Sequence, residues 1–294
     1  MPRIAYVNGA YVPFGQASVH IEDRGFQFAD AVYEVVGVMN GVFADERGHL
    51  DRLERSLGEL GIPMPVSRAG LRFIMRHVLR QNRFRNAAIY IQVSRGQGKR
   101  DFKIAKDMAP NLVVYAWAFE FKLKPEHMKG VHVQTRPDQR WARRDIKTTQ
   151  LLSQSLAKQA AVDAGYDDTW MVDDAGYVTE ASSSNAWIVK GKTLYTRKAA
   201  SDLLKGVTRT AIAHVIENHG LSWEERAFTP QEAQEADEAF NTSATSLVVP
   251  VVKIDGKAVG SGDVGPVTRL LLGEYIRYVN AKTGGQVAWT PPDR

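Results

Sequence analysis

The sequence predicts an α/β chain, with α+β segregation in places, folded as two domains. Valine-rich runs such as Ala31–Met39 alternate loosely, and Asn8-Gly9 and Asn40-Gly41 stand between β-forming residues, the strongest short hairpin signal. Other segments carry leucines at helical spacing, Leu50, Leu53, Leu57 and Leu60 among them. A charged, non-periodic stretch with Pro125, from Glu120 to His127, then divides the 294-residue chain, which is long enough for two ordinary domains. The expected division is a small N-terminal α/β domain at residues 1–121, a linker at 122–127 and a larger C-terminal domain at 128–294.

Taken in order, residues 4–21 read as a strand pair followed by an extended piece at Ser18–Ile21. Asp23-Arg24-Gly25 reads as a turn, with Phe26 and Phe28 making buried contacts. Ala31–Met39 is a strand, and period two sends Tyr33 and Glu34 to opposite faces. Helices follow at 49–60, with Gly61 and Pro63 as stop signals, and at 67–82, with Ser67 as N-cap. Ala87–Ser94 is a strand, residues 96–100 a loop, and Leu112–Phe119 a strand buried on both faces. The second half reads as strands near Val131, at Asp168–Val172, Asn185–Val189, Leu194–Thr196, Phe240 and Val248–Ile254. Its helices are 151–164, 208–219, 230–236 and 266–281, the third opened by Thr229 and Pro230.

Hydrophobic residues make up 44% and charged residues 24%, which places the chain among folded soluble proteins rather than disordered ones. The absence of cysteine excludes disulfides and thiolate metal sites, and no metal is expected. The net charge of +5 raises the question of nucleic acid. The positive residues are mostly interleaved with acids, however, and only Arg80–Arg85 and Arg140–Lys147 are locally basic. The reading is a solvated basic surface plus an anion pocket, with no nucleic-acid partner. No apolar leader or membrane span is visible in the sequence, so a cytoplasmic protein is expected.

Lys147 follows the run Arg140-Trp141-Ala142-Arg143-Arg144-Asp145-Ile146, between an extended segment and a helix. Taken alone it reads as a surface lysine. Desolvated in a cleft beside Arg143 or Arg144, it would have a depressed pKa and a usable neutral amine. Downstream come Thr179-Glu180-Ala181-Ser182-Ser183-Ser184-Asn185, then Lys205-Gly206-Val207-Thr208-Arg209, then Asn241-Thr242-Ser243-Ala244-Thr245-Ser246. Gly206-Val207-Thr208 opens a helix, where backbone N–H groups and the helix dipole favour an anion.

With Glu22-Asp23-Arg24-Gly25-Phe26-Gln27-Phe28, Asp30–Val36 and Asp51-Arg52-Leu53 added, the set resembles the class IV, or fold type IV, pyridoxal-phosphate aminotransferases. It is most similar to the bacterial D-amino-acid aminotransferases and the (R)-selective amine transaminases. The resemblance implies a homodimer with pyridoxal 5'-phosphate (PLP) in the interdomain cleft. It makes Lys147 the amine that joins the cofactor aldehyde and then shuttles the proton. Glu180 is implied as the carboxylate at the ring nitrogen, and Ser183 and Leu204 as further cofactor contacts. Arg52, Val207, Thr208, Ser243 and Ala244 are implied as the phosphate cup; Ala244 stands where the family commonly has threonine.

Tyr33, Val35, Arg100, Phe102 and Thr245 are implied to bind substrate. In D-amino-acid aminotransferases an Arg-x-His pair holds the substrate carboxylate, whereas here the loop reads Lys99-Arg100-Asp101-Phe102. One cationic clamp remains, a charge-assisted contact is lost, and Asp101 stands beside Arg100 as a competitor for its guanidinium. The expected reaction is ping-pong amino transfer from a D-amino acid to a 2-oxo acid. An (R)-selective amine transaminase, favoured by Phe102, is the alternative, and a branched-chain aminotransferase or aminodeoxychorismate lyase stands further off.

Overall fold

A computed structural model describes residues 3–200 and 203–287; the outermost ends of the two expected domains, 1–2 and 288–294, lie outside the described residues. The chain forms two compact units. The first comprises the chain through Phe121 together with Ile146–Gln150 and Thr283–Gly285; the second comprises Lys122–Asp145, Leu151–Lys282 and the described residues from Gln286 on.

In the first unit, β1 (Ile4–Val7) and β2 (Ala10–Pro13) form a hairpin. Its turn residues Asn8 and Gly9 both have positive φ, 45° and 95°, as a tight hairpin turn demands. Then come α1 (Arg24–Phe28), β3 (Ala31–Met39), β4 (Val42–Phe43), α2 (Glu46–Leu60), α3 (Arg68–Asn82), β5 (Ala87–Ser94) and β6 (Asn111–Ala118). The six strands make an antiparallel sheet in the order β2-β1-β6-β5-β3-β4. Helix α2 buries Leu50, Leu53 and Leu57, and α3 buries Leu71, Ile74, Met75, Val78 and Leu79. The Ser67 hydroxyl accepts from the Gly70 N–H at 3.1 Å and caps α3.

Three local expectations are corrected here. Ser18–Ile21 forms no strand. Asp23-Arg24-Gly25 starts a one-turn helix, because the Asp23 carboxylate accepts from the N–H groups of Gly25 (2.7 Å) and Phe26 (3.3 Å); Phe26 is left 74% exposed rather than buried. Strand β6 buries alternate residues only. Its other face carries half-buried Tyr115 and Trp117, part of an aromatic row with Tyr33 and Tyr90 whose successive ring centroids lie 5.0–5.9 Å apart.

The second unit runs α4 (Pro125–Lys129), β7 (Val131–Pro137), α5 (Leu152–Asp163), β8 (Asp168–Val172), β9 (Val178–Ala181), β10 (Asn185–Lys190) and β11 (Thr193–Thr196). It continues through α6 (Val207–Asn218), β12 (Ser222–Glu225), α7 (Pro230–Gln234), β13 (Glu238–Ser243), β14 (Leu247–Ile254), β15 (Lys257–Ala258) and α8 (Pro266–Thr283). The nine-stranded mixed sheet has the order β12-β11-β10-β13-β14-β7-β8-β9, with β15 on β14. Sequence reading missed β9, β12, β15 and the short helix α4, which starts inside the expected linker. Trp170, Val133, Ile188, Phe228 and Ile254 centre the core. Buried indoles are satisfied: Trp170 Nε1 donates to Asn241 Oδ1 (2.9 Å) and Trp187 Nε1 to Thr242 Oγ1 (3.0 Å).

Candidate active site

In the first unit, strand β3 sorts the chemistry by alternation. Tyr33 and Val35 lie on its half-buried face, while Glu34 and Val36 point into the core. The segment carrying Lys147 is tied to the start of β3: Thr148 bridges Val32, Tyr33 N–H donates to the Lys147 carbonyl (3.0 Å), and Thr149 N–H donates to the Ala31 carbonyl (3.0 Å). These backbone bonds fix where the lysine side chain leaves the chain. Its Nζ donates to the Tyr33 hydroxyl at 3.2 Å and lies 4.3 Å from that ring's centroid. Tyr33 in turn stacks on Tyr90, 5.6 Å between centroids and 21° between planes. The phenol therefore has little rotational freedom, and the amine it holds is aimed.

Behind this face, Glu34 is fully buried and takes two hydrogen bonds from Arg52 (Nε 2.6 Å, Nη2 2.8 Å), with His49 Nδ1 at 2.8 Å. Burial pushes the carboxyl pKa up, but Arg52 and His49 outweigh it and hold Glu34 at about 2. Arg52, expected in a phosphate cup, thus spends one edge of its guanidinium on a core carboxylate. The role of Glu34 was not legible, because an acid in a valine-rich strand signals nothing until its partner 18 residues away is placed.

In the second unit, Glu180 stands one residue before the end of β9 as a buried carboxylate. One oxygen accepts from Arg140 Nη1, and the other accepts from Asn185 Nδ2 at 3.2 Å. Arg140 also grips Asp138 (2.7 Å), which accepts from the Thr179 hydroxyl (2.7 Å). Burial alone would lower the Arg140 pKa; Glu180 and Asp138 raise it instead. Burial likewise pushes Asp138 up, but Arg140 and Thr179 outweigh it and hold the carboxyl below its ordinary range. Of the two arginines expected near Lys147, Arg144 lies 3.1 Å from Asp138 and Arg143 donates to Asp145 (3.0 Å), so each faces a carboxylate in this unit.

The helix α6 begins at Val207, and its N-cap Gly206 supplies no side-chain cap. A Cβ at Gly206 would lie 2.1 Å from Asn185 Oδ1, so only glycine fits there. Asn185 Nδ2 also donates to the Leu204 carbonyl (3.0 Å), which ties this turn to β10 and to Glu180. Thr208 is buried, with its hydroxyl 3.4 Å from that of Tyr275. Arg209 is buried on Glu225 (2.7 Å), and its Nη1 has no hydrogen-bond partner; burial lowers its pKa. Ala244 and Thr245 lie in the turn after β13, which Ser243, the strand's last residue, spans by accepting at Oγ from the Ser246 N–H (3.1 Å). Ser183 and Ser243 line one cavity of about 290 Å³ in this unit, with Asp168 and Lys158.

The loop carrying Arg100 and Phe102 belongs to the first unit, and both side chains converge on Phe28. The Arg100 guanidinium lies 5.6 Å from that ring's centroid, and the Phe102 ring meets it edge-on at 5.8 Å. Phe102 is 84% exposed. Asp101 does not take Arg100: its carboxylate accepts from Lys103 N–H (3.0 Å), and its carbonyl accepts from Arg24 (2.7 Å). Arg24 and Arg95 both donate to Asp30 (2.8 and 2.7 Å), a buried cluster that anchors the loop. Arg24, His49, Arg140, Asn185 and Arg209, each tied by hydrogen bonds into these clusters, escaped sequence reasoning. The only local signal was their place inside or beside the quoted motifs.

An aimed amine, a buried carboxylate braced by a guanidinium and an uncapped helix start are the services a PLP-dependent enzyme must provide. A model of the family described as amino-transferase class IV matches residues 31–254, and the chain belongs to that PLP-dependent family. D-alanine aminotransferase of Bacillus licheniformis is 37% identical over 262 residues, 89% of this chain and 92% of the relative. The enzyme of the same name from Staphylococcus aureus (strain COL) is 34% identical over 280 residues, 94% and 98% of the two chains. Among solved structures, the branched-chain amino acid aminotransferase of Escherichia coli superposes with a TM-score of 0.89 at 23% identity, covering 98% of each chain, a likeness of fold. That of Thermoproteus uzoniensis, solved with norvaline, gives 0.84 at 24% identity over 95% of each chain, again a likeness of fold.

The residues present fit this cofactor. Lys147 offers a primary amine hydrogen-bonded to a phenol, Glu180 a carboxylate held in place, and Gly206-Val207-Thr208 a glycine-started helix with unsatisfied N–H groups. The orphaned Nη1 of buried Arg209 adds a cationic donor beside the same helix start.

Proposed function

We propose that this chain is a D-amino-acid transaminase that moves an amino group from a D-amino acid to a 2-oxo acid by a ping-pong mechanism. The observation that carries the reading is the end-to-end likeness to D-alanine aminotransferases at 34–37% identity. The loop cation Arg100, retained on a buried anchor, supports it.

Bound PLP supplies the electron sink that makes loss of the α-proton feasible. Lys147 would hold the cofactor, and its amine would take the α-proton of the donor and return one to the acceptor. The Tyr33 hydroxyl orients that amine. Glu180 would hold the cofactor's ring nitrogen and keep a proton there, with Arg140 and Asn185 fixing its carboxylate. Ser183 and Leu204 would bear on the cofactor, and Arg52, Val207, Thr208, Ser243 and Ala244 would hold its phosphate. Tyr33, Val35, Arg100, Phe102 and Thr245 contact substrate, with Arg100 as the carboxylate's cation.

The protein acts as a cytoplasmic homodimer in this reading. In the first unit Ile21, Phe26, Phe102 and Ile104 are each more than half exposed, a surface suited to burial in a partner. No described helix is long and apolar enough to cross a membrane. A second reading, an (R)-selective amine transaminase, is favoured by the phenylalanine at 102. The test is a half-reaction followed at the absorbance band of the lysine-bound cofactor. Holoenzyme is mixed separately with D-alanine, L-leucine and (R)-1-phenylethylamine. Loss of the band with D-alanine alone supports the first reading, and faster loss with the (R)-amine replaces it by the second.

A further inference from the structure

A cavity of about 770 Å³ lies in the first unit, away from Lys147 and its neighbours in sequence, walled by α3, the residues just after it and the β3–β4 turn at Gly41. Five arginines line it, Arg72, Arg76, Arg80, Arg83 and Arg85, and no carboxylate among the described residues does. Arg72, Arg76 and Arg80 recur every fourth residue and so share one helix face, an array of like charges that works against helix stability. Glu46 takes Arg72 in a two-bonded pair (2.9 Å each), and Arg85 donates to the Asn40 side chain. The side chains of Arg76, Arg80 and Arg83 make no ion pair or hydrogen bond to any described residue. Phe73 borders the same space with its ring 58% exposed, stacked on His77 at 5.8 Å.

Unpaired guanidinium groups around one concavity match a ligand with several neighbouring oxyanions. Guanidinium forks suit phosphate geometry, and a single carboxylate would leave most of the charge unanswered. The exposed ring gives a flat apolar group somewhere to stack. We propose that this cavity binds a small molecule carrying two or more linked phosphate groups, either a nucleotide or an inorganic polyphosphate. The site is independent of the aminotransferase reading.

The test is calorimetric titration of the holoenzyme, its cofactor site filled, with ATP and with inorganic triphosphate at about physiological ionic strength. The expected result is saturable binding of one equivalent per chain. The triple variant Arg76→Gln/Arg80→Gln/Arg83→Gln weakens it at least tenfold, with the circular dichroism spectrum and thermal midpoint unchanged. Phe73→Ala weakening ATP several-fold while sparing triphosphate identifies a nucleotide; equal, unaltered affinities for both identify the polyphosphate chain alone. No saturable binding of either compound overturns the proposal, as does binding that the triple variant leaves intact. Displacement of ATP by lower concentrations of a single-stranded RNA overturns it too, and makes this face a nucleic-acid surface.

Discussion

Replacing Glu34 by glutamine keeps the shape of a fully buried side chain and removes its charge. Burial pushes this carboxyl up, yet Arg52 and His49 hold it at about 2, against an ordinary 4.5. Each tenfold change in proton affinity corresponds to about 1.4 kcal/mol, so the interaction is worth roughly 3 kcal/mol, with no solvent screening to discount at a buried site. Removing one partner of a buried ion pair by mutation gives a similar range, about 3–5 kcal/mol. The pKa is depressed in the folded state, so the stabilisation is fully present above pH 4.5 and is lost as pH falls from there toward 2. Urea unfolding of wild type and Glu34→Gln at pH 7 should therefore differ by about 3 kcal/mol. The gap should narrow steadily in a series taken down to the lowest pH at which both still fold. Equal stability at pH 7, or a gap that does not change with pH, would refute the assignment of Glu34 as an ionised core anchor.

Lys147→Ala should lose the lysine-bound cofactor band and all amino transfer, seen by absorbance and by a coupled assay for the oxo acid; retained turnover would remove Lys147 from the chemistry. Arg140→Gln takes the cation from between Asp138 and Glu180, both buried; it should lose about 3 kcal/mol of stability and reduce kcat at least tenfold, measured by chemical denaturation and steady-state kinetics. Gly206→Ala would push a methyl to 2.1 Å from Asn185 Oδ1; a loss of about 1–3 kcal/mol is expected, with cofactor affinity falling several-fold in a fluorescence titration. Phe102→His should raise kcat/KM for D-alanine over that for (R)-1-phenylethylamine by about tenfold, the worth of one charge-assisted hydrogen bond, and no change would separate residue 102 from substrate choice.

What the sequence disclosed about the fold was whatever local chemistry decides. Ser67 announces α3, because a hydroxyl before an apolar-periodic run satisfies an orphan N–H wherever it occurs, and it does so here. Asn8-Gly9 announces a hairpin because few other residues tolerate two positive φ angles in succession. Strand β12 was missed because Ser222–Glu225 has neither alternation nor β-branched residues; its strand state comes from parallel pairing with β11, a tertiary effect. Strand β6 was read as buried on both faces because valine, tyrosine and tryptophan are all apolar by composition. Its outer face is only half covered, and it carries the aromatic row that ends at Tyr33.

The site divides along the same line. Lys147, Glu180 and Gly206 became candidates because each stands in a short motif whose chemistry is local. The ion pairs between distant residues could not be read in the same way: Glu34 meets Arg52 after 18 residues, and Arg140 meets Glu180 after 40. Arginines 143 and 144 show the hazard of reading charge from adjacency. They stand beside Lys147 in sequence, yet both guanidinium groups are turned to carboxylates, Asp145 and Asp138. A cation already answered by an acid contributes little field to a third group, because the pair's potentials largely cancel at a distance. What the structure gives Lys147 within its own unit is a hydrogen bond from its amine to the Tyr33 hydroxyl and backbone bonds that fix its segment.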